Sequence, residues 1–370
     1  MISRKYKLAI ISFGILIIPT FFIIEIFLRL LFPLSYFANF TWFLPKYNVA
    51  YYEEQFIEQY YGKELNAIRY DETLGWDYHK ENNGIRPPAD PNLDKSQNKL
   101  RMIVIGDSFA YGSEVDDDKH FTHLVNQKLQ NIEAFTMGTP GYGLGQAALK
   151  YLQMGSQYQP DIVIFAVHPA DYIRTGLRLF NVPKPLFIND PTTQLGYRVD
   201  NVPVPLPADE LQKVEDKIFW QSRLEYFLVA AFTYLPPISD YFANKYISEM
   251  DKNVTKALEI VKSEVESRGG KFIILEIDEG EYFTPKSKNP FAAYHNSLEK
   301  IYNKLDSSWI NLSAIWSSNF SISTIQNELY INRTDGTYGH LTEKGNVLVA
   351  EEIIKRLCKF PNIKNNRLEC

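Results

Sequence analysis

A short run of branched apolar residues that stops on Gly-Asp-Ser constrains this chain more than any other feature in it. Met102–Ile105 is too short for a helix and rich in β-branched side chains, so it reads as a buried strand. Gly106 ends the run, Asp107 follows, and Ser108 falls on the strand-to-loop turn. A serine at that point is lifted out of the sheet edge, where its hydroxyl can meet a substrate. The tripeptide alone equally suits an ordinary polar β-turn, so it bears on fold before it bears on function.

Downstream, strand and helix patterns alternate. His120–Leu129 has helical spacing, Ile132–Met137 reads as a second strand, Gln146–Gln157 as a helix and Ile162–Val167 as a strong strand. Alternation resumes with helix Tyr246–Ser267, a Gly269-Gly270 stop, strand Lys271–Ile277, helix His295–Leu305, strand Trp309–Leu312 and a closing helix Leu341–Lys359. This order predicts an α/β fold: three α/β/α layers around a mostly parallel sheet. Site residues in such sheets gather at the carboxyl ends of the strands. Residues 178–235 break the alternation with Pro-rich turns and an amphipathic stretch, Glu210–Phe232. They read as an insertion, either a lid or acceptor wall over the site or a plain surface excursion. An apolar fraction of 45% and 14% aromatics in 370 residues supply a core and exclude a disordered chain.

Four segments stand in a fixed order: Arg101–Gly112 (RMIVIGDSFAYG), Thr136–Gly143 (TMGTPGYG), Asp161–Arg174 (DIVIFAVHPADYIR) and Asp335–Asn346 (DGTYGHLTEKGN). In order and spacing they resemble the SGNH, or GDSL-type, hydrolase family, and its bacterial membrane-anchored members in particular. The resemblance covers about Tyr70 to Leu357, includes the Tyr70–Trp76 stretch before the domain, and extends to the N-terminal helix. By residue type alone, Tyr70–Trp76 is a turn with a buried Trp. The expected organisation is an anchor over 1–33, a membrane-proximal segment over 34–99 and a catalytic domain over 100–370.

Ester chemistry needs a nucleophile, a base and donors at the developing oxyanion. The resemblance assigns Ser108 as nucleophile and His340, in its His-Leu-Thr-Glu-Lys-Gly context, as base. The family's acid lies two or three residues before the histidine, but Tyr338 and Thr337 stand there. Asp335, five residues before, is the candidate, and a Ser108–His340 dyad is the alternative. Asp107 is expected to hold the turn. The resemblance gives the Ser108 and Gly138 amides as oxyanion donors. Where the family carries an asparagine donor this chain has Ala170, followed by the matching Asp171; Thr136 replaces another family asparagine. His168 or Tyr142 is a candidate substitute, and Tyr142, His168 and Asp171 are read as substrate-binding. No His/Cys cluster has metal-ligand spacing, and no metal or cofactor is expected.

The N-terminus sets the compartment. Leu8–Ile24 holds 17 residues without a charge, and apolar character continues to Phe32. Such a helix spans a bilayer core of about 30 Å. Basic residues precede it, so the N-terminus stays cytoplasmic and the body is exported. A cleaved signal peptide is the rival, against which stand the run's length and the lack of a small-x-small site. Glu25 and Arg29 are one helical turn apart and suited to pair. Arg4, Lys5, Lys7 and Arg29 against Glu25 leave the first 33 residues at +3 and the rest at −8 within a net charge of −5. An acidic body without a basic stripe argues against nucleic acid. The two cysteines, Cys358 and Cys370, permit a disulfide in an exported body.

The expected function is an extracytoplasmic serine esterase acting on an O-acyl, chiefly acetyl, ester of a surface glycan or lipid. An O-acyltransferase of surface polysaccharide and a non-catalytic carbohydrate-binding or assembly protein are the alternatives, the last motivated by Ala170.

Overall fold

In the computed structural model the described residues are 19–32, 70–71, 73–77, 84–86, 89–95, 99–177, 179–180, 182–200, 212–213, 216, 219, 222–232, 236–283, 292–334 and 336–360. The chain divides into two compact units. One comprises Leu65–Pro205 with Ile247–Cys370; the other comprises Met1–Glu64 with Leu206–Tyr246.

The larger unit is built on five strands: β1 (Leu100–Ile105), β2 (Ile132–Thr136), β3 (Ile162–Val167), β4 (Lys271–Glu276) and β5 (Ser308–Asn311). They form one sheet in the order β2-β1-β3-β4-β5, parallel at every pairing. β1, β3 and β4 are central, and all six residues of β3 are buried, because helices cover both faces. The order reverses between β1 and β3, and the loops leaving those two strands carry Ser108 and His168. Ligands of open parallel sheets bind at such a reversal.

Helices α1 (Ser108–Tyr111), α2 (Phe121–Lys128), α3 (Leu144–Gln153), α4 (Pro169–Thr175), α5 (Arg223–Phe232), α6 (Pro236–Ser267), α7 (Ala292–Leu305), α8 (Leu312–Asn319) and α9 (Glu343–Leu357) complete the main elements. Within the larger unit α6 buries Val254, Ala257, Leu258, Val261 and Val265, a spacing of three and four that turns one face to the sheet. A last hairpin, β6 (Tyr330–Asn332) with β7 (Tyr338–Leu341), lies outside the sheet and is antiparallel.

The expected alternation of strands and helices holds, with ends shifted by a few residues. Two boundaries differ. The larger unit begins at Leu65, not at 100. Tyr70–Asp71 pairs with Gly75–Trp76, and Trp76 is buried and donates from Nε1 to the Pro140 carbonyl at 3.1 Å. This clasp fastens the pre-domain segment to the Gly138–Gly143 loop. The 178–235 insertion is also not one body. Leu186–Asn189 pairs with Tyr197–Asp200 in a hairpin of the larger unit, anchored by buried Phe187, while 206–246 belongs to the other unit.

A buried ion pair fastens the clasp from the opposite side. Lys150 Nζ lies 3.1 Å from Asp77 Oδ1 and donates to Thr139 Oγ1 at 2.8 Å, with both charged side chains 1% exposed. Burial pulls the Lys150 pKa down, and the Asp77 charge opposes this. Removing one partner strands a charge in the interior. Lys150→Met is therefore expected to cost about 3–5 kcal/mol. That corresponds to a fall on the order of 10 °C in melting temperature by scanning calorimetry. Lys150→Met/Asp77→Leu should recover most of the loss.

Among the described residues no helix is long and apolar enough to cross a membrane. Residues 1–18, the greater part of the expected span, lie outside the described residues, as do the aromatic stretch 36–61, Asp335 and Cys370. Cys358 is disulfide-bonded, and the sequence contains one other cysteine, Cys370.

Candidate active site

β1 delivers Ser108 as expected. Gly106 has φ +149°, and a Cβ there would come within 2.6 Å of the Ala166 carbonyl oxygen, so the chain leaves the sheet pressed against β3. Asp107 caps the four-residue α1, accepting from the Phe109 amide at 2.9 Å. Arg174 Nη1 holds the same carboxylate at 3.0 Å. Burial pushes the Asp107 pKa up, but the charges on His168 and Arg174 and the Phe109 amide outweigh it and hold the group ionised. Asp107 thus secures the turn, as expected. The Ser108 hydroxyl lies 3.4 Å from Asp107 Oδ2, a weak contact, and the residue is 9% exposed. It is less open than a serine lifted clear of a sheet.

The β6–β7 hairpin delivers His340. Thr342 then caps α9, its Oγ1 accepting from the Gly345 amide at 3.2 Å. The His340 and Phe109 ring centroids are 4.9 Å apart. The residue beside the candidate nucleophile therefore touches the candidate base, across 231 positions of sequence.

Among the described residues the carboxylate that meets the His340 ring is Glu114, which the sequence reading did not single out. Glu114 Oε2 lies 2.6 Å from His340 Nδ1 and also accepts from the His340 amide at 2.9 Å. The Nδ1 position is thereby filled six residues after Ser108 in the nucleophile's own loop. Asp335 is outside the described residues. Burial pushes the Glu114 pKa up, but the amide and ring of His340 and the charges on His340 and Arg333 outweigh it and hold it below the usual carboxylate range. An ionised Glu114 fixes the proton on Nδ1 and leaves Nε2 free to accept one.

Glu114 has φ +69°, a left-handed backbone that costs a side-chain-bearing residue on the order of 1–3 kcal/mol. Neighbours hold it there. The buried Arg86 guanidinium donates to the carbonyls of Tyr111, Gly112 (2.7 Å) and Val115 (2.7 Å) and to Asp117 Oδ1 (2.8 Å), strapping both flanks of Glu114. Arg333 Nη2 reaches both carboxylate oxygens at 3.3 Å. Gly339 makes the room: a Cβ there would stand 2.8 Å from Glu114 Oε2. Gly339→Ala is expected to push the carboxylate off the ring and lower ester turnover about 100-fold, as for a displacement of about 1 Å. The melting temperature should change little. Steady-state kinetics beside calorimetry checks both.

The expected oxyanion and binding groups are rearranged. The Gly138 amide donates to Thr136 Oγ1 at 3.0 Å, and that hydroxyl donates to the Ala110 carbonyl at 2.7 Å. Thr136 has thus taken up the second oxyanion donor. The Ser108 amide remains, with no hydrogen bond among the described residues. Ala170 supplies no side-chain donor. Tyr142 is fully buried, its hydroxyl donating to the Trp76 carbonyl at 2.5 Å, so it belongs to the clasp and not to a binding surface.

His168 and Asp171 are also interior. His168 stacks on Phe109 with centroids 4.7 Å apart, and its Nε2 lies 2.5 Å from Glu279 Oε2. Burial pulls the His168 pKa down, but Glu279, then Asp107 and Asp171, outweigh it and raise it. Asp171 accepts from the His168 amide at 3.1 Å and from Arg174 Nη1 at 2.9 Å. Burial and the Asp107 charge push its pKa well up. Phe109 therefore lies between two imidazoles, His340 toward the site and His168 behind it.

Among the described residues two groups have the composition of metal ligands: Asp107, His168 and Asp171, and Glu276, Asp278 and His295. In the first the Arg174 guanidinium bridges the two aspartates. In the second the imidazole itself lies between the carboxylates, Nδ1 3.1 Å from Glu276 and Nε2 2.9 Å from Asp278. Burial pulls the His295 pKa down, but bonds to Asp278 and Glu276 win and raise it from 6.5 to about 10. The unfolded ring loses its proton at about pH 6.5 while the folded one keeps it. The stabilisation is therefore whole below pH 6.5 and is lost as pH climbs through 10. Thermal melts from pH 6 to 10 should show that decline, and His295→Gln should flatten it.

Glu114, Gly339, Arg333 and Arg86 were not evident from sequence. The available signal was the absence of an aspartate two or three residues before His340, where Tyr338 and Thr337 stand.

No protein-family model matches the chain, and no curated protein matches it. Among solved structures it is similar to a G-D-S-L family lipolytic protein from Veillonella parvula, at 11% identity, 70% of this chain, 100% of that chain and TM-score 0.41. It is similar to a lipase/acylhydrolase from Enterococcus faecalis, at 13%, 70%, 95% and 0.39. It is also similar to an acetyl xylan esterase, at 13%, 69%, 98% and 0.38. Fold and site stand on the chain's own strand order and distances.

Proposed function

We propose that this protein is a serine hydrolase of acyl esters, with Ser108 as nucleophile, His340 as general base and Glu114 as the carboxylate that orients and charges the imidazole. The carrying observation is the 2.6 Å contact between Glu114 and His340 Nδ1 in a ring that touches the Ser108 helix. Ser108 attacks the ester carbonyl and His340 Nε2 takes its proton. The same imidazolium returns the proton to the leaving alcohol, and water resolves the acyl-enzyme. The Ser108 amide faces the developing oxyanion. With 9% of Ser108 exposed, a small acyl group such as acetyl fits better than a long chain. Resolution by a sugar hydroxyl instead of water would make the same site an O-acetyltransferase.

The N-terminal apolar run supports attachment to a membrane with the larger unit outside the cytoplasm, and a disulfide-bonded Cys358 suits that compartment. An O-acetylated surface glycan is the substrate class this location favours.

A non-catalytic glycan-binding role is the second reading. It is favoured by the Gly138 amide being taken by Thr136 and by Ala170 offering no donor. Turnover of p-nitrophenyl acetate faster than p-nitrophenyl octanoate supports the enzyme. Binding of an acetylated glycan with no turnover of either ester supports the second reading and overturns the first.

A further inference from the structure

We propose that residues 222–232 sit in lipid beside the N-terminal helix, so that the membrane attachment is a two-helix unit and not a lone span. This rests on the anchor reading above.

The helix over 19–31 has its polarity reversed relative to a helix in water. Its less exposed stripe is Glu25, Leu28, Arg29 and Phe32, spaced three and four apart. Leu28 is 6% exposed, whereas Phe22 is 66% and Leu30 79% exposed. The outward positions Phe22, Ile23, Ile26, Phe27, Leu30 and Leu31 are all large and apolar. They cover more than half of the helix circumference. A single partner helix covers one stripe, whereas lipid covers a whole side.

The inward charge is satisfied by α5. The Glu25 carboxylate accepts from Ser222 Oγ at 2.9 Å and from the amides of Arg223 (2.9 Å) and Leu224 (2.7 Å), and it pairs with Arg29 Nε at 2.6 Å. These three donors include orphan amides at the start of α5, which no carbonyl of its own helix can fill. Lipid demands that such groups be paired within the protein. In α5, Arg223 and Tyr226 are buried and Phe227 and Leu228 face outward, with Glu225 exposed beside them in the first turn. Ten residues are too few to span, so α5 lies in the lipid without crossing it. The bilayer is the occupant that continuity selects, because the outward apolar face extends the uncharged run Leu8–Ile24. Residues 222–232 thereby acquire a role other than a lid.

The test uses the full chain in phosphatidylethanolamine/phosphatidylglycerol vesicles, with its disulfide intact. Phe27→Cys, Phe227→Cys and Lys355→Cys variants each carry a nitrobenzoxadiazole label. Blue-shifted emission and quenching by doxyl lipids at 27 and 227, with iodide quenching at 355, supports the proposal. Lipid quenching at 27 with iodide quenching at 227 overturns it and leaves the anchor standing. Iodide quenching at 27 removes the anchor and this inference together. Protection of 227 from both quenchers shows a protein cover, from a second copy or a partner, and overturns it. Leu228→Cys repeats the measurement if Phe227→Cys disturbs the helix.

Discussion

Ser108→Ala is expected to lower ester turnover by about 10⁴–10⁶-fold, with substrate binding and melting temperature close to wild type. The size follows from what is removed. Without the hydroxyl no acyl-enzyme forms, and what survives is the amide at 108. The serine lies at the end of β1, at the sheet's reversal point, and makes only a 3.4 Å contact to Asp107. Removing Oγ therefore breaks no strong bond and leaves no stranded charge. Single-turnover assays with p-nitrophenyl acetate beside thermal melts separate this loss from misfolding, because the variant should melt as the wild type does. A variant with more than a tenth of wild-type turnover would place the chemistry elsewhere.

Glu114→Gln carries the second large effect, about 10⁴-fold in turnover. The amide keeps the shape and bonding capacity of the side chain but loses the charge. With its amide nitrogen turned to the ring, the substituted side chain would stabilise the opposite tautomer, with the proton on Nε2, and His340 could no longer accept from Ser108. Glu114→Asp should be intermediate, since a shorter side chain from the same left-handed residue falls short of Nδ1. Asp335→Asn should retain most activity, because the imidazole already has its carboxylate. A large loss in Asp335→Asn with little in Glu114→Gln would reverse the assignment.

The strands, most helices and the places of Ser108 at the end of β1 and His340 before α9 were legible in the sequence because each rests on local chemistry. Met102–Ile105 and Ile162–Val167 are apolar runs that must be buried, and Ser108 and His340 sit in motifs a few residues long. What escaped depends on which partners the folded chain pairs, some across distant segments and some within one turn. Glu114 looks like one acid among several in Ser-Glu-Val-Asp-Asp-Asp, and only its left-handed backbone and the room left by Gly339 distinguish it. Tyr142 read as a ligand residue because it lies in a loop near the site, yet its hydroxyl is used by Trp76. His168 and Asp171 read as substrate contacts, but Glu279, from a distant loop, and Arg174, one turn further along the same helix as Asp171, occupy them. Thr136 looked like a lost asparagine. Its hydroxyl instead fills the Gly138 amide that an oxyanion was expected to use.

The departures share one direction. Interior hydrogen bonds fill groups around Ser108 that the resemblance would leave open, and Glu114, from the loop after Ser108, meets the His340 ring. On the proposed reading, a nucleophile and base with fewer oxyanion donors should turn over modestly. Loss of one donor costs about 3 kcal/mol of transition-state stabilisation.

Covalent labelling tests the central claim most directly. Full-length protein treated with a fluorophosphonate and digested for mass spectrometry should carry one phosphonyl adduct, on the peptide containing Ser108. The adduct should vanish in Ser108→Ala and form far more slowly in His340→Ala and Glu114→Gln. An unlabelled wild-type protein that still turns over p-nitrophenyl acetate, or an adduct that persists in Ser108→Ala, would contradict it.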